Sequence, residues 1–189
     1  MFSLIARKIY RCLAVIFPIV YYFTDKSTIL TILTIFLIFL LILEFLRYKF
    51  AELNEKIFKI AKIFLKEKEK RRISATTVVV FSILLTIILF RKSIAIYSVL
   101  FLIFSDGVSA IIGTKFGKIK IFRGKTLEGS LSFLITCLFI GILFYPTAIS
   151  LPFRKIFAGA LTATFAELLP LDDNLTIPLA SGLIMWLIP

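Results

Sequence analysis

The segment from Ser105 to Ser130, SDGVSAIIGTKFGKIKIFRGKTLEGS, sets an aspartate, spaced glycines, five basic residues and a glutamate into an otherwise apolar chain. Asp106 follows Leu100, Phe101, Leu102, Ile103 and Phe104, which places its carboxylate at the end of an apolar helix, where an ionisable group is costly and usually functional. Asp106, Ser109, Ala110 and Gly113 fall at i, i+3, i+4 and i+7, so one side of that helix is small and polar and can approach a ligand or another helix closely. Gly113 and Gly117 open the loop that follows; their spacing alone is also that of ordinary small-residue helix packing. The loop carries Lys115, Lys118, Lys120, Arg123 and Lys125, and a new helix begins at Thr126 or Leu127 with Glu128 in its first turn. A helix amino terminus offers free N–H groups and the positive end of a dipole, Gly124 and Gly129 allow close backbone approach, and Arg123 and Lys125 supply countercharge, a combination suited to phosphate. The same residues also read as a basic cytoplasmic loop with Thr126 as N-cap. A third cluster, Glu167, Asp172, Asp173 and Asn174, lies on the same face, although Asp172 alone is accounted for as an N-cap. Carboxylates from different helices facing a basic, glycine-containing loop can hold Mg²⁺ against a triphosphate, because hard divalent ions take oxygen ligands and bridge phosphate oxygens.

The elements that must position these groups are membrane helices. With 60% hydrophobic residues and 21 phenylalanines, and a mean hydropathy of +1.02, the chain lies outside the range of soluble domains. At about 20 apolar residues per crossing, it accommodates roughly seven spans, near Ile9–Phe23, Thr28–Leu46, Ile73–Phe90, Ile94–Gly113, Gly129–Tyr145, Leu151–Leu168 and Leu175–Ile188. The first is short, contains Pro18 and follows Arg7, Lys8 and Arg11 as a signal peptide would; no small-residue cleavage site follows, so it is taken as a span. The predicted fold is all-α: one integral membrane domain over residues 1–189, with its motifs within 105–178.

Orientation follows from the 23 Lys and Arg residues. Arg7, Lys8, Arg11, the ten between Arg47 and Arg72 and the five between Lys115 and Lys125 share one face, against five on the other, Lys26, Arg91, Lys92, Arg154 and Lys155. Cytoplasmic loops are enriched in such residues, which puts the amino terminus and the polar clusters in the cytoplasm and, with an odd span count, the carboxyl terminus outside. Between Ala51 and Arg72, Leu53, Ile57, Ile60, Ile63 and Phe64 recur at helical spacing among Lys56, Lys59, Lys62 and Lys66, as in an amphipathic helix on the inner leaflet. The net charge of +12 is explained by insertion and by contact with the anionic bilayer surface, with no need for nucleic acid. Cys12 and Cys137 have no neighbouring cysteine at metal-ligand spacing, and the chain has no histidine, which excludes zinc and histidine acid–base chemistry.

At these residues the chain resembles the CTP-dependent lipid-alcohol kinases, the family of dolichol kinase, phytol kinase and yeast-type diacylglycerol kinase. The resemblance rests on Asp-Gly-x-x-Ala-x-x-Gly-x-x-x-Gly from Asp106 to Gly117. It rests also on Lys125-Thr126-Leu127-Glu128-Gly129-Ser130, where the family shows a Lys-Ser-x-Glu-Gly-Ser type of signature, and on Glu167 with Asp173-Asn174-Leu175-Thr176-Ile177-Pro178-Leu179. Weaker similarity reaches Glu44-Phe45-Leu46-Arg47 and Arg7-Lys8; family members tend to follow the latter with a histidine, near whose place Arg11 stands. The resemblance implies transfer of the γ-phosphoryl of CTP to the hydroxyl of a membrane lipid alcohol. It further implies Asp106, Lys125 and Glu128 as catalytic residues, with Asp106, Glu128 and Asp173 either holding Mg²⁺ or activating the hydroxyl. Nucleotide contacts would come from Gly113, Gly117, Arg123, Lys125, Thr126 and Asn174.

Two other enzymes share parts of this pattern. A cytidylyltransferase making a CDP-lipid would use the same Mg²⁺, basic loop and lipid access. A CDP-alcohol phosphotransferase fits less well: Asp106-Gly107-x-x-Ala110 resembles its opening motif, but Ile111 stands where an arginine follows, and Gly124 and Glu128 where later aspartates stand. A transporter burying Asp106 and Glu167 along its pathway accounts for the carboxylates but not for the basic loop at a helix amino terminus.

Overall fold

A computed structural model describes residues 10–50, 52, 54, 55, 73–122 and 124–189. The inner-leaflet helix expected between Ala51 and Arg72 lies almost entirely outside the described residues, as do Arg7, Lys8 and Arg123.

Among the described residues the chain forms seven helices and no strand. These are α1 Tyr10–Phe23, α2 Lys26–Lys49, α3 Ala75–Leu89, α4 Lys92–Phe116, α5 Leu127–Phe144, α6 Phe153–Leu168 and α7 Asp173–Leu187. Each corresponds to one of the seven apolar segments in the sequence. Three of them, α2, α4 and α5, are long and apolar enough to cross a membrane, while α1 and α3 are shorter apolar helices.

The helix starts follow from local chemistry. The carboxylate of Asp25 accepts from the Thr28 N–H and hydroxyl at 2.9 and 2.8 Å, the Ser74 hydroxyl from Thr77 N–H at 3.3 Å, and Thr126 Oγ1 from Gly129 N–H at 3.2 Å. Each satisfies a donor that the first helical turn would leave bare. In α1, Pro18 has no N–H to offer the carbonyl of Ala14 and crowds it, and the helix tightens into a 3₁₀ turn at Leu13–Val15.

The central helix is α4, which packs against α1, α3, α5 and α7; α6 and α7 form a close pair beside α5, and α2 lies at the edge against α1 and α3. In the most apolar stretch of α4, 72% of residues are buried, compared with 17% in α2. Polarity is distributed as in a bundle solvated by lipid. Ser82, Thr86, Ser98, Ser105, Ser109 and Ser181 are buried, while Phe23, Ile35, Phe139, Phe165 and Trp186 lie exposed, a surface that would associate in water. Some core hydroxyls turn back to their own helices, Thr86 donating to the Ser82 carbonyl and Ser181 to that of Ile177, each at 2.7 Å, while Ser105 Oγ meets Cys137 Sγ of α5 at 3.1 Å; an apolar surrounding offers no water to bond.

Two details differ from expectation. Asp106 lies inside α4, with about 15 Å of helix beyond it, and Gly113 is helical; no proline or charge run interrupts the segment before Gly117, so the helix continues. Immediately before Asp106, residues Phe101–Ser105 form a π turn. Such a turn inserts one residue and rotates the rest of the helix, and π turns cluster at functional sites.

Candidate active site

The loop after α4 is a tight hairpin. Ile121 N–H donates to the Lys125 carbonyl and Leu127 N–H to the Ile119 carbonyl, each at 2.9 Å. At the tip, Lys125 N–H donates to the Phe122 carbonyl at 2.9 Å, with Gly124 at φ +78°, a left-handed position natural to glycine. The hairpin returns Lys125 to the amino terminus of α5. There its ammonium lies 3.1 Å from Glu167 Oε1 and 3.1 Å from Asp173 Oδ2, and it also donates to the Glu167 carbonyl. One lysine thus joins the end of α6 to the start of α7, and the basic loop meets the acidic turn directly.

The π turn and the small face of α4 bring Asp106 to the same end of the bundle. Asp106 is buried, and its Oδ2 lies 3.1 Å from Arg11 Nη1 of α1. Asp106 and Asp173 both stand close enough to Glu167 for their charges to repel it. Ser130, one turn into α5, reaches Glu167 Oε2 at 3.5 Å. The resulting cluster, Arg11, Asp106, Lys125, Glu167 and Asp173, draws on α1, α4, the hairpin, α6 and α7. The amino termini of α5 and α7 adjoin it, adding positive dipole ends to the two cations.

The expected residues divide between this cluster and other duties. Asp106, Lys125 and Asp173 are brought together. Glu128 is not among them: its carboxylate accepts from Ile119 N–H at 3.3 and 3.4 Å at the exposed base of the hairpin. Thr126 caps α5. Gly113 and Gly117 let α4 lie against that cap, since a Cβ on Gly113 would stand 3.0 Å from Thr126 Oγ1 and one on Gly117 would collide with Thr126 and with the Gly113 carbonyl. Asn174 donates to Asp172 Oδ1 at 2.8 Å, and its own Oδ1 is buried without a partner. Among the described residues no three His, Cys, Asp or Glu side chains converge as a preformed metal site; Glu167 and Asp173 share Lys125, while Asp106 pairs with Arg11. Glu167, read from the sequence as one of the acidic cluster, contacts Lys125, and Arg11, which was given no role, contacts Asp106. Glu167 was visible as an intramembrane acid, whereas nothing local to Arg11 marks its contact 95 positions away.

Glu44 and Arg47, the pair of the weaker similarity, form a separate buried ion pair at 2.5 Å. Glu44 Oε1 accepts from Ser74 N–H at 2.8 Å, tying the end of α2 to the start of α3.

No family model matches the chain, and no solved structure matches it. It is 28% identical over 141 residues to CTP-dependent diacylglycerol kinase 1 of Schizosaccharomyces pombe, covering 66% of this chain and 64% of that protein. Over 191 aligned residues it is 32% identical to the uncharacterized protein RP860 of Rickettsia prowazekii, covering 97% of this chain and 93% of that one. With that likeness running through all seven helices, the chain belongs to the same family as the Rickettsia protein.

Proposed function

We propose that the protein is a kinase of membrane lipid alcohols that uses CTP and Mg²⁺ at the Asp106–Lys125–Glu167–Asp173 cluster. The observation that carries this reading is the seat of Lys125: an ammonium at a helix amino terminus, held 3.1 Å from two carboxylates. Such a seat suits phosphoryl transfer, which needs positioning and neutralisation of charge more than a covalent nucleophile. The likeness to the diacylglycerol kinase, partial as it is, supports the same class of reaction and the choice of CTP.

In this reaction the lipid hydroxyl oxygen bonds the γ-phosphorus as the bond to the β-phosphate oxygen breaks, CDP leaves, and the hydroxyl proton passes to a carboxylate of the cluster. Lys125 and the first turn of α5 receive phosphate oxygens. Asp106, Glu167 and Asp173 offer the oxygen donors Mg²⁺ requires, and the ion is commonly held by only one or two carboxylates together with substrate phosphates. Bound there, it would neutralise charge on the transferred group. Arg11 holds the Asp106 carboxylate in place through its 3.1 Å contact. All seven helices cross the bilayer in this reading, with the cluster and the amino terminus cytoplasmic and the carboxyl terminus outside.

The test is incubation of purified protein with γ-labelled CTP or ATP, Mg²⁺ and a panel of polyprenol, phytol and diacylglycerol substrates. The expected products are CDP and a labelled lipid monophosphate. Pyrophosphate with an unlabelled CDP-lipid would identify a cytidylyltransferase instead.

A further inference from the structure

The hairpin between α4 and α5 alternates in chemistry as well as in direction. Lys120 pairs antiparallel with Thr126, so side chains along this extended stretch point to opposite faces in turn. Ile119 and Ile121 share one face, and Lys118 and Lys120 the other. Ile119, Ile121 and Phe122 are 57, 47 and 53% exposed. Between Lys115 and Glu128 the sequence holds five basic residues and one acid, and that acid, Glu128, is already engaged by Ile119 N–H.

What these residues meet follows from α5. Leu127, Leu131, Ile135 and Phe139 recur every four residues as an apolar stripe exposed to the same degree as the hairpin's, at 47, 54, 57 and 62%. Leu127 N–H donates to the Ile119 carbonyl at 2.9 Å, so the apolar face of the hairpin starts beside the end of that stripe and prolongs it. The 18 residues of α5 make about 27 Å of helix, close to the roughly 30 Å of a hydrocarbon core. With α5 across a bilayer, Leu127 stands at the hydrocarbon border and the hairpin at headgroup depth. There Ile119, Ile121 and Phe122 bury apolar surface while Lys118 and Lys120 lie among lipid phosphates. A neutral surface would engage only the apolar face; an anionic one engages both.

We propose that the hairpin is an interfacial anchor for an anionic bilayer surface, and that its seating there holds Lys125 in the site. The link to Lys125 is short: Ile121 N–H donates to the Lys125 carbonyl at 2.9 Å, so the depth of Ile121 sets the height of Lys125 over Glu167 and Asp173. The proposal rests on the reading of the bundle as a membrane-crossing kinase and adds to it a dependence on the charge of the surrounding lipid.

The experiment uses the full chain in nanodiscs of phosphatidylcholine, alone or mixed with phosphatidylglycerol. Trp186, the one native tryptophan, is replaced by Phe, and Ile121→Trp reports the depth of the hairpin; Phe122→Trp serves should that variant fail to fold. Emission should be quenched by lipids brominated near the headgroup, more strongly with phosphatidylglycerol present, and K118Q/K120Q should abolish that difference. Turnover of the wild type should rise at least about fivefold with phosphatidylglycerol, the worth of one lysine near an anionic surface, and by less than about twofold in K118Q/K120Q. Quenching by aqueous iodide in place of brominated lipid, quenching equal in the two lipid mixtures, or shielding seen only in discs that hold two copies would overturn the anchor. Turnover indifferent to phosphatidylglycerol while the hairpin docks would overturn the link to Lys125. If the wild-type protein phosphorylates no alcohol while the quenching keeps its lipid dependence, the kinase reading fails and the anchor stands; turnover in a protein whose hairpin meets only water means the reverse.

Discussion

Asp106→Asn should cost roughly a thousandfold in turnover, at the upper end of what removal of one preorganised electrostatic group does, while the protein still inserts. Isolated in an apolar helix, an aspartate would be expected to stabilise the fold when neutralised. The 3.1 Å contact with Arg11 reverses that sign, because the change strands a guanidinium that is only 24% exposed. A lowered melting temperature in detergent for Asp106→Asn, partly restored by adding Arg11→Ala, is the expected result; unchanged activity would reduce Asp106 to a packing residue. Lys125→Ala and Lys118→Ala remove the same charge from the same loop, yet only Lys125 touches Glu167 and Asp173. The loss of Lys125 should raise the KM for CTP by about ten- to a hundredfold, the equivalent of one charge-assisted hydrogen bond, against less than about twofold for Lys118. A CTP titration of both variants measures the difference, and equal effects would point to a diffuse basic patch. The residue types here were legible in the sequence, as was the approach of the basic loop to the acidic turn that the Lys125–Asp173 contact makes. The duty of Glu128 was not, because its partner is a backbone N–H that only the folded hairpin presents.

At the scale of the element, the α4–hairpin–α5 unit carries the strongest local demands. Gly117→Ala should destabilise the protein by about 1–3 kcal/mol, as overpacking does, since the new methyl would meet the Gly113 carbonyl and Thr126. Gly124→Ala has open space around it and should cost about 1–2 kcal/mol, through the left-handed backbone alone. Thermal unfolding in detergent compares them. A Gly117→Ala protein that melts normally and binds CTP poorly would restore the glycine to nucleotide contact. The helices and the Thr126 cap could be read in advance because apolar runs and a capping hydroxyl act on their immediate neighbours; the caps at Asp25 and Ser74 came from the structure. The π turn at Phe101–Ser105 could not: its sequence, FLIFS, is indistinguishable from ordinary apolar helix, and the extra residue is tolerated because of what α4 meets on either side.

For the molecule as a whole, the contact between the basic hairpin and the Glu167–Asp173 turn requires both to lie at one end of the bundle. The proposed reading puts that end in the cytoplasm, since 18 of the 23 basic residues lie on it or on the segments predicted to accompany it. A cysteine introduced by Lys118→Cys should stay unlabelled by an impermeant reagent in sealed cells, and one introduced by Ser150→Cys, in the α5–α6 connection, should react. The opposite pattern would invert the topology and remove the site from cytosolic nucleotide.

The amino-acid sequence determined by itself that the chain is all-helical, with apolar helices compatible with a membrane, roughly where those helices lie, and which polar segments could share a face. These follow from the length of apolar runs, from capping and from the distribution of charge, all of which act over a few residues or through the bilayer. Only the tertiary structure decided that Arg11 holds Asp106, that Glu167 joins Lys125 and Asp173 while Glu128 turns away, and that Gly113 and Gly117 make room for Thr126. Each of these depends on which helix faces meet, and in a lipid-solvated bundle, where nearly every face is apolar, periodicity does not distinguish the face that meets a neighbour from the face that meets lipid.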